Sequence, residues 1–569
     1  MSDTYAGGPQ QPPYQPSHQP SGQPGDAEYL EAGGGSPLPP ETTAPPAGGG
    51  GRKRGLLIGG GIAALAIVGV GAWAAAQFFA TGAQPSEALP ATTIGYASID
   101  LDPSGAQKIE ALRTLNKFPA FKDELDLELD DDIRRKIFEE IDLPEGCQLF
   151  YEEDIEPWLG ERMAVAAVDT GATDPEVVAV VQVKDADAAD EGLTKLRDCA
   201  SEGQATGGWV IDGDWAVVAE DTEGARAVVD AKSEGTLADD PEFQELTTAT
   251  GSAGIVSLYA APEAGKYFGQ EVGDVSGMAD ELSNGLFGEG VDLGEALDNP
   301  EGQASTSGGW KDFQGVAVSV RFDDGALEIE SAGGYGSRMD SFFGSDRGAD
   351  VVETLPADTA AALGVGFDEG WLTDLAEQMA SYTGGEMTAA DVFEEASQMT
   401  GLDLPQDAET LFGRSAALSF GSDFDPEAFF NSGDGSEIPI ALKVQGDADA
   451  ARAVVDKIVA QDPESGDFVG IDSDGDVFVI GPNADYRQAV LGKGSLGDND
   501  VYRDVIRESD KASGVFYVNF NAGDDWLVRA VGDGDPSVTE NVKPLAGFGI
   551  AAWQDDDWTH SVLRLTTDD

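Results

Sequence analysis

An uncharged segment of 25 residues, Gly55 to Phe79, most restricts what this chain can form. A helix rises about 1.5 Å per residue, so the segment would be roughly 37 Å long, and the hydrocarbon of a bilayer is about 30 Å thick. A core helix of a soluble protein needs polar residues along one face, and none occurs here before Gln77. The segment therefore predicts one transmembrane helix.

The flanking charges predict its direction. Arg52, Lys53 and Arg54 precede the segment, whereas no basic residue follows it until Lys108. Because Lys and Arg beside a span stay in the cytoplasm, we expect a cytoplasmic N-terminus and an extracellular C-terminal region at the cell membrane. A cleaved signal peptide is the alternative, with Ala74-Ala75-Ala76 as its cleavage site, but the apolar run and the preceding region are both longer than usual for one. We favour an uncleaved signal-anchor.

The charge balance restricts the partners of the outer region. The chain has 106 Asp and Glu against 33 Lys and Arg, a net charge of −73, and all but five of the acids follow the anchor. Such a surface repels nucleic acid and anionic lipid headgroups, so neutral or cationic partners are expected. Acidity that serves only solubility is an equally good interpretation.

Residues 1–54 are rich in Pro, Gly and Gln and have too few apolar side chains to offset the entropy of ordering. This pattern predicts a disordered cytoplasmic tail. Residues 80–88 are interpreted as a linker.

The outer region contains an internal duplication. Leu89-Pro90-Ala91 returns as Leu355-Pro356-Ala357, and Asp185 to Ala189 is repeated letter for letter at Asp447 to Ala451. Further matches keep the same order along the chain. We therefore predict two copies, repeat A over residues 89–350 and repeat B over residues 351–569.

Both repeats alternate strand and helix signals. Asp212-Gly213 and Asp474-Gly475 each separate two aliphatic runs, as the tight turn of a hairpin requires. Each repeat has seven or eight such strands, many joined as hairpins, so we expect an α+β fold with mainly antiparallel sheets covered on one face by helices. Repeat A is longer through residues 262–298, an acidic insertion that forms either a lid over a groove or a surface excursion.

The two cysteines of the chain, Cys147 and Cys199, lie in repeat A. Outside the cell such a pair indicates a disulfide closing a loop of about 50 residues. A reactive thiol pair is the weaker alternative, because Cys-x-x-Cys spacing and a nearby histidine are absent.

The sequence provides little catalytic chemistry. His18 and His560 are the only histidines, so neither a Ser-His-Asp site nor a His-rich zinc site can be assembled in the outer region, and we expect no metal and no cofactor. The acidic run Asp472 to Asp476 suggests calcium, but Asn483 stands where an EF-hand loop needs its glutamate. We interpret this run as a turn, and His560 as a surface residue.

The basic-flanked anchor, the Leu-Pro-Ala-x-Thr openings, the Leu-Gly or Phe-Gly steps and the Asp-Ala-Asp-Ala-Ala junctions together resemble a family of bacterial envelope proteins. This is domain-of-unknown-function family 3352, of the high-GC Gram-positive type. The resemblance covers most of residues 86–569. It implies membrane anchoring and an extracytoplasmic domain, and it implies no reaction and no ligand.

Three functions follow as hypotheses. The first is a non-catalytic protein that binds or organises another molecule at the cell envelope. The second is a carrier that encloses a lipid or other apolar ligand between helices and a curved sheet. The third is a hydrolase that uses two facing carboxylates. The sequence does not fix the oligomeric state.

Overall fold

The computed structural model of the chain describes residues 83–100, 106–125, 132–139, 147–200, 207–252, 254–267, 313–334, 347–382, 387–423, 438–461, 463, 466, 469–523, 536–555 and 557–568. The predicted tail and anchor lie outside these residues. So do residues 80–82 of the linker and the predicted insertion beyond Tyr267.

Repeat A contributes eight described strands: β1 (Thr93–Asp100), β2 (Leu159–Val168), β3 (Glu176–Val183), β4 (Gly208–Asp212), β5 (Trp215–Ala219), β6 (Val256–Ala260), β7 (Val316–Asp323) and β8 (Ala326–Gly333). Repeat B contributes another eight: β9 (Thr359–Gly366), β10 (Ser415–Gly421), β11 (Ile440–Gln445), β12 (Gly470–Asp474), β13 (Val477–Gly481), β14 (Gly514–Asn519), β15 (Leu545–Gln554) and β16 (Thr559–Thr567).

Seven α-helices are described in the first part of the chain: α1 (Ala106–Leu115), α2 (Pro119–Leu125), α3 (Ile133–Glu139), α4 (Ala186–Ala200), α5 (Thr222–Ala231), α6 (Pro241–Ala249) and α7 (Gly348–Val352). Seven more follow within the described ranges: α8 (Trp371–Tyr382), α9 (Ala389–Thr400), α10 (Gln406–Phe412), α11 (Ala448–Gln461), α12 (Ala484–Leu491), α13 (Asp500–Val505) and α14 (Pro536–Val542).

All sixteen strands form one antiparallel sheet, in the order β12, β13, β11, β10, β9, β14, β15, β16, β8, β7, β6, β1, β2, β3, β5, β4. From the central pair outwards, the strands of repeat A follow the order β8, β7, β6, β1, β2, β3, β5, β4. The strands of repeat B follow the equivalent order β16, β15, β14, β9, β10, β11, β13, β12. Strands β8 and β16 pair along eight residues and join the two repeats. The predicted α+β class and antiparallel pairing are confirmed, and the structure continues one sheet through this pair of strands.

Local chemistry explains the hairpins. Gly213 and Gly475 both have positive φ, 62° and 60°, in the turns between β4 and β5 and between β12 and β13. Positive φ at a two-residue turn matches the right-handed twist of the strands, and Gly adopts it without steric cost. Both predicted hairpins are confirmed.

One face of the sheet, called here the first face, is covered in both repeats. In repeat A, α5 and α6 place Val228 and Leu246 against Tyr96 and Tyr259 of the sheet. In repeat B, helices α7, α12 and α13 cover the corresponding side chains, which include Tyr517.

The opposite face, called here the second face, carries an apolar row. Directly paired residues lie on the same side of a sheet. The pairing runs without interruption through Ile471, Ile480, Leu442, Leu418, Leu363, Phe516, Ile550, Leu563, Ile329, Val320, Val256, Ile99, Met163, Val181, Ala216 and Ile211. Each strand supplies one apolar residue to this row.

The helices lie on both faces, which corrects the predicted coverage of one face. On the second face, α1 packs Ala111 and Leu112 against Ile99 and Val256, and α4 packs over Val181. The reason is the apolar row itself, because a sheet that is apolar on both sides requires cover on both sides.

A buried ionic network holds the junction of the repeats on the first face. Glu328 of β8 lies between Arg321 of β7, with Nη2 to Oε1 at 2.5 Å, and Arg564 of β16. Arg564 also lies 3.4 Å from Asp323 and is 1% exposed, while Glu328 is 5% exposed. Burial alone would lower the pKa of Arg321, but its hydrogen bond to Glu330 and the charge of Glu328 raise that pKa above its ordinary value.

Candidate functional site

The two predicted cysteines form a disulfide. The sulfur atoms are 2.09 Å apart and the Cα atoms 5.2 Å apart. The bond ties the segment before the turn Tyr151–Ile155 to the C-terminal end of α4. The predicted disulfide is therefore confirmed.

The predicted anchor and its flanking residues Arg52, Lys53 and Arg54 lie outside the described residues. Within the part of the chain that the structure describes, no helix is both long and apolar enough to span a bilayer.

An open groove of about 1140 Å³ lies in repeat B. It is bordered by the end of β9, the start of β10, the end of β11 and the turn between β12 and β13. Helices α8, α10 and α11 each contribute residues to its wall. Its volume lies at or above the range of most small-molecule pockets, so it can accept an extended segment.

Phe367 and Trp371 line this groove, and Phe412 packs beside them outside its lining. The ring centres of Phe367 and Trp371 are 4.5 Å apart, and Phe412 makes edge contacts with both at 5.9 Å. Phe367 packs on the second face against the cluster of Ala416 and Val444, whereas Phe412 is 36% exposed. The rings therefore offer an apolar surface that is partly open to solvent.

Charged side chains surround these rings. The wall has six carboxylates, Asp368, Glu369, Glu409, Asp447, Asp449 and Asp476, and two guanidinium groups, Arg347 and Arg414. Asp447 accepts hydrogen bonds from the backbone of Asp449 and Ala450 at 3.1 and 3.0 Å and so caps α11. The groove carries an excess of negative charge.

The corresponding turn of repeat A is filled instead of open. Trp158 is buried beside Tyr151, Ile155 and Leu193 of α4, and its indole nitrogen donates to the carbonyl oxygen of Asp154 at 2.6 Å. Cys147 and Cys199 pack against the same cluster. The disulfide thus secures the part of repeat A that matches the groove of repeat B.

The apolar row is covered unequally in the two repeats. In repeat A, Ile99, Val256 and Val320 are buried in the cluster formed with α1. In repeat B, the directly paired Leu363 and Phe516 are 45% and 38% exposed. Neighbouring Leu418 and Ile550 are only partly buried. An apolar surface therefore remains open on the second face of repeat B.

The groove and the open part of the row share strand β9. Side chains of alternate residues lie on one face, so Leu363 and Phe367 point to the same side. Phe367 directly follows β9, and four residue steps of extended chain correspond to about 13 Å between the two positions. Aromatic groove and exposed row thus form neighbouring surfaces on one face of repeat B.

The residues considered for metal and acid-base chemistry have other partners. In the described ranges, no group of three or more His, Cys, Asp and Glu side chains is arranged to hold a metal. Asp472 pairs with Nε of Arg487 at 2.8 Å. His560 is buried, stacks on Trp553 at 5.0 Å and lies 2.8 Å from Asp555. The expected surface position of His560 is therefore wrong, because β15 and β16 bring it onto Trp553 on the first face.

Lys443 of β11 is buried on the first face. Its Nζ donates to the carbonyl oxygens of Thr354 at 3.0 Å and Gly492 at 3.2 Å, beyond the C-terminal ends of α7 and α12. Burial lowers the pKa of Lys443 to about 8. The carbonyls at helix C-termini favour a cation, so the Lys443 side chain caps the C-terminal ends of α7 and α12.

The comparisons with known proteins give a family and no reaction. The family described as Protein of unknown function (DUF3352) matches residues 57–419. A comparison with curated proteins gives no match. The solved structure described as "Structure of crystal form III of TP0453" resembles 45% of this chain and 81% of that chain, with 9% identity and a TM-score of 0.21. A likeness of this size carries no argument.

Proposed function

Since this chain belongs to the family described as Protein of unknown function (DUF3352), which assigns no activity, we propose from its geometry a non-catalytic binding protein of the cell envelope. In this proposal, residues 55–79 anchor the chain with its N-terminus in the cytoplasm. The duplicated outer region then presents the groove and the exposed row of repeat B to another molecule.

The observation that carries the proposal is the difference between the repeats. The same strand order produces a filled turn around Trp158 in repeat A and an open groove lined by Phe367 and Trp371 in repeat B. The exposed Phe412 packs against both of these rings. An exposed aromatic side chain beside uncovered aliphatic residues is typical of a binding surface.

The junction supports a scaffolding role. Strands β8 and β16 connect the repeats through backbone hydrogen bonds, and Glu328 joins arginines of β7 and β16. The outer region then holds the binding surface on one continuous sheet.

Site-specific photo-crosslinking in intact cells tests this function. A photoreactive residue in place of Phe412 is expected to capture a defined partner, and the same residue in place of the exposed Phe150 of repeat A serves as the control. Capture that is equal at both positions, or absent at position 412, would contradict the proposal.

The exposed apolar row also favours a second candidate, a carrier of a lipid or other apolar ligand. Leu363 and Phe516 would then contact the apolar ligand. Native mass spectrometry of the full chain from a mild detergent is expected to show bound lipid if the carrier function holds. Protein without lipid would count against it.

A further inference from the structure

We propose that the groove and the exposed row of repeat B together bind one ligand, a basic amphipathic segment of a partner protein. This inference rests on the proposed binding function and names the chemistry of the ligand. The surface consists of the groove lined by Phe367 and Trp371, the exposed Phe412 that packs on these rings, and the exposed row residues Leu363 and Phe516.

Charge complementarity favours a basic ligand. Six carboxylates and two guanidinium groups line the groove, which leaves an excess of four negative charges. No ion pair within the described part of the chain joins these carboxylates to a Lys or Arg side chain. Basic side chains of a partner can therefore pair with them, and ring faces of Phe and Trp also attract cations.

The exposed row favours an amphipathic ligand. Leu363 of β9 lies about 13 Å from Phe367, the residue that follows this strand, which is roughly the length of two to three turns of helix. A helix with apolar residues on one face can cover Leu363 and Phe516 while its basic residues reach the groove. Such binding by the apolar face of a helix is a recurrent mode of peptide recognition.

The same charges disfavour two other occupants. A second copy of this chain also carries a net charge of −73, so two such surfaces repel each other. An anionic lipid headgroup meets the same repulsion in the groove.

The test measures binding of fluorescent model peptides to the full chain in detergent micelles. An amphipathic Lys/Leu helix is expected to bind, whereas a Glu/Leu helix and a scrambled Lys/Leu peptide of equal composition are expected to bind at least tenfold more weakly. The affinity for the Lys/Leu helix should fall as salt is raised, because exposed charges are screened.

The duplication provides matched variants. The groove variant combines Glu409→Gln, Asp447→Asn and Asp476→Asn. Asn at position 447 still caps α11. The control variant makes the same changes at the matching positions of repeat A: Glu156→Gln, Asp185→Asn and Asp214→Asn. The groove variant should lose about tenfold in affinity and most of the salt dependence, whereas the control should stay within about twofold.

A row variant with Leu363→Thr and Phe516→Thr separates the apolar contribution. We expect it to weaken binding about tenfold at every salt concentration, because burial of these side chains does not depend on salt. Val177 in repeat A is also an exposed strand residue, so Val177→Thr is the control for the row variant.

Three results would overturn the inference: equal losses in the groove and control variants, tight binding of the Glu/Leu helix, or displacement of the Lys/Leu helix by neutral lipid vesicles. If the wild-type protein does not bind the Lys/Leu helix but the photoreactive residue at position 412 still captures a partner in cells, only the basic chemistry of the ligand is refuted. If neither peptide binding nor partner capture is observed, the proposed function is refuted as well.

Discussion

Replacement of Glu328 by Gln tests whether the buried ionic network joins the repeats. Glu328 is 5% exposed and bonds both Arg321 and Arg564. The substitution keeps the shape of the side chain and removes its charge. The buried guanidinium groups of Arg321 and Arg564 then lose the carboxylate that they share.

The expected loss follows from the remaining partners. Removal of one member of a buried ion pair costs about 3–5 kcal/mol, because the other charge is left uncompensated. Arg321 keeps Glu330, and Arg564 keeps Asp323 at 3.4 Å. We therefore expect a loss of about 3 kcal/mol, which is roughly a hundredfold in the ratio of folded to unfolded protein.

The assay is urea denaturation of the full chain in detergent, followed by tryptophan fluorescence, with hydrogen exchange of β8 and β16 as a local readout. Arg503→Gln is the control, because Arg503 and its partner Asp500 are exposed and such pairs contribute at most about 1 kcal/mol. A Glu328→Gln protein that unfolds at the same urea concentration as the control, with unchanged exchange in both strands, would refute the reasoning.

Three further predictions follow. Because the pKa of Lys443 is about 8 in the folded chain and 10.5 is its ordinary value, the unfolded chain binds more protons between these values. Stability should therefore rise with pH from about 8 to about 10.5, by at most roughly 3 kcal/mol, and urea midpoints of wild type and Lys443→Met across this range measure it. An identical pH dependence in both proteins would contradict this origin. Replacement of Cys147 and Cys199 by Ser should lower the free energy of unfolding by roughly 4 kcal/mol, given a separation of 52 residues, and should speed hydrogen exchange in α4 but not in α11. Equal effects on the two helices would show that the bond does not act locally. Protease added to cells without their wall should digest the outer region and spare an epitope tag on the N-terminal tail. A protected outer region would refute the predicted orientation.

The local elements could be predicted from sequence because their signals are local. The two Asp-Gly turns, which join β4 to β5 and β12 to β13, were each predicted from adjacent residues. Duplication strengthened these predictions, since each repeat provided a second version of the same signal. The α+β class and the antiparallel pairing followed from short connections between strands.

The candidate site was less accessible to sequence. Phe412 had a weak signal in the Phe-Gly step that matches Leu159-Gly160, but nothing local indicated that Phe367 and Trp371 would lie beside it. The predicted surface position of His560 was wrong for the same reason, because its burial depends on Trp553 in the neighbouring strand. The exposure of Leu363 depends on which other segments of the chain pack over it. The pattern of apolar residues along one strand does not specify those segments.

The sequence by itself determined four features of this protein: an uncharged apolar segment at residues 55–79, two copies of one strand and helix pattern, their turns, and the strongly acidic charge. Each of these depends on residues that are near one another in the chain. Only the tertiary structure decided that β8 and β16 make a single sheet, that Glu328 lies between arginines of both repeats, and that repeat B keeps an open surface. These features depend on contacts between residues as far apart as Glu328 and Arg564, and such contacts are set by the packing of the whole sheet.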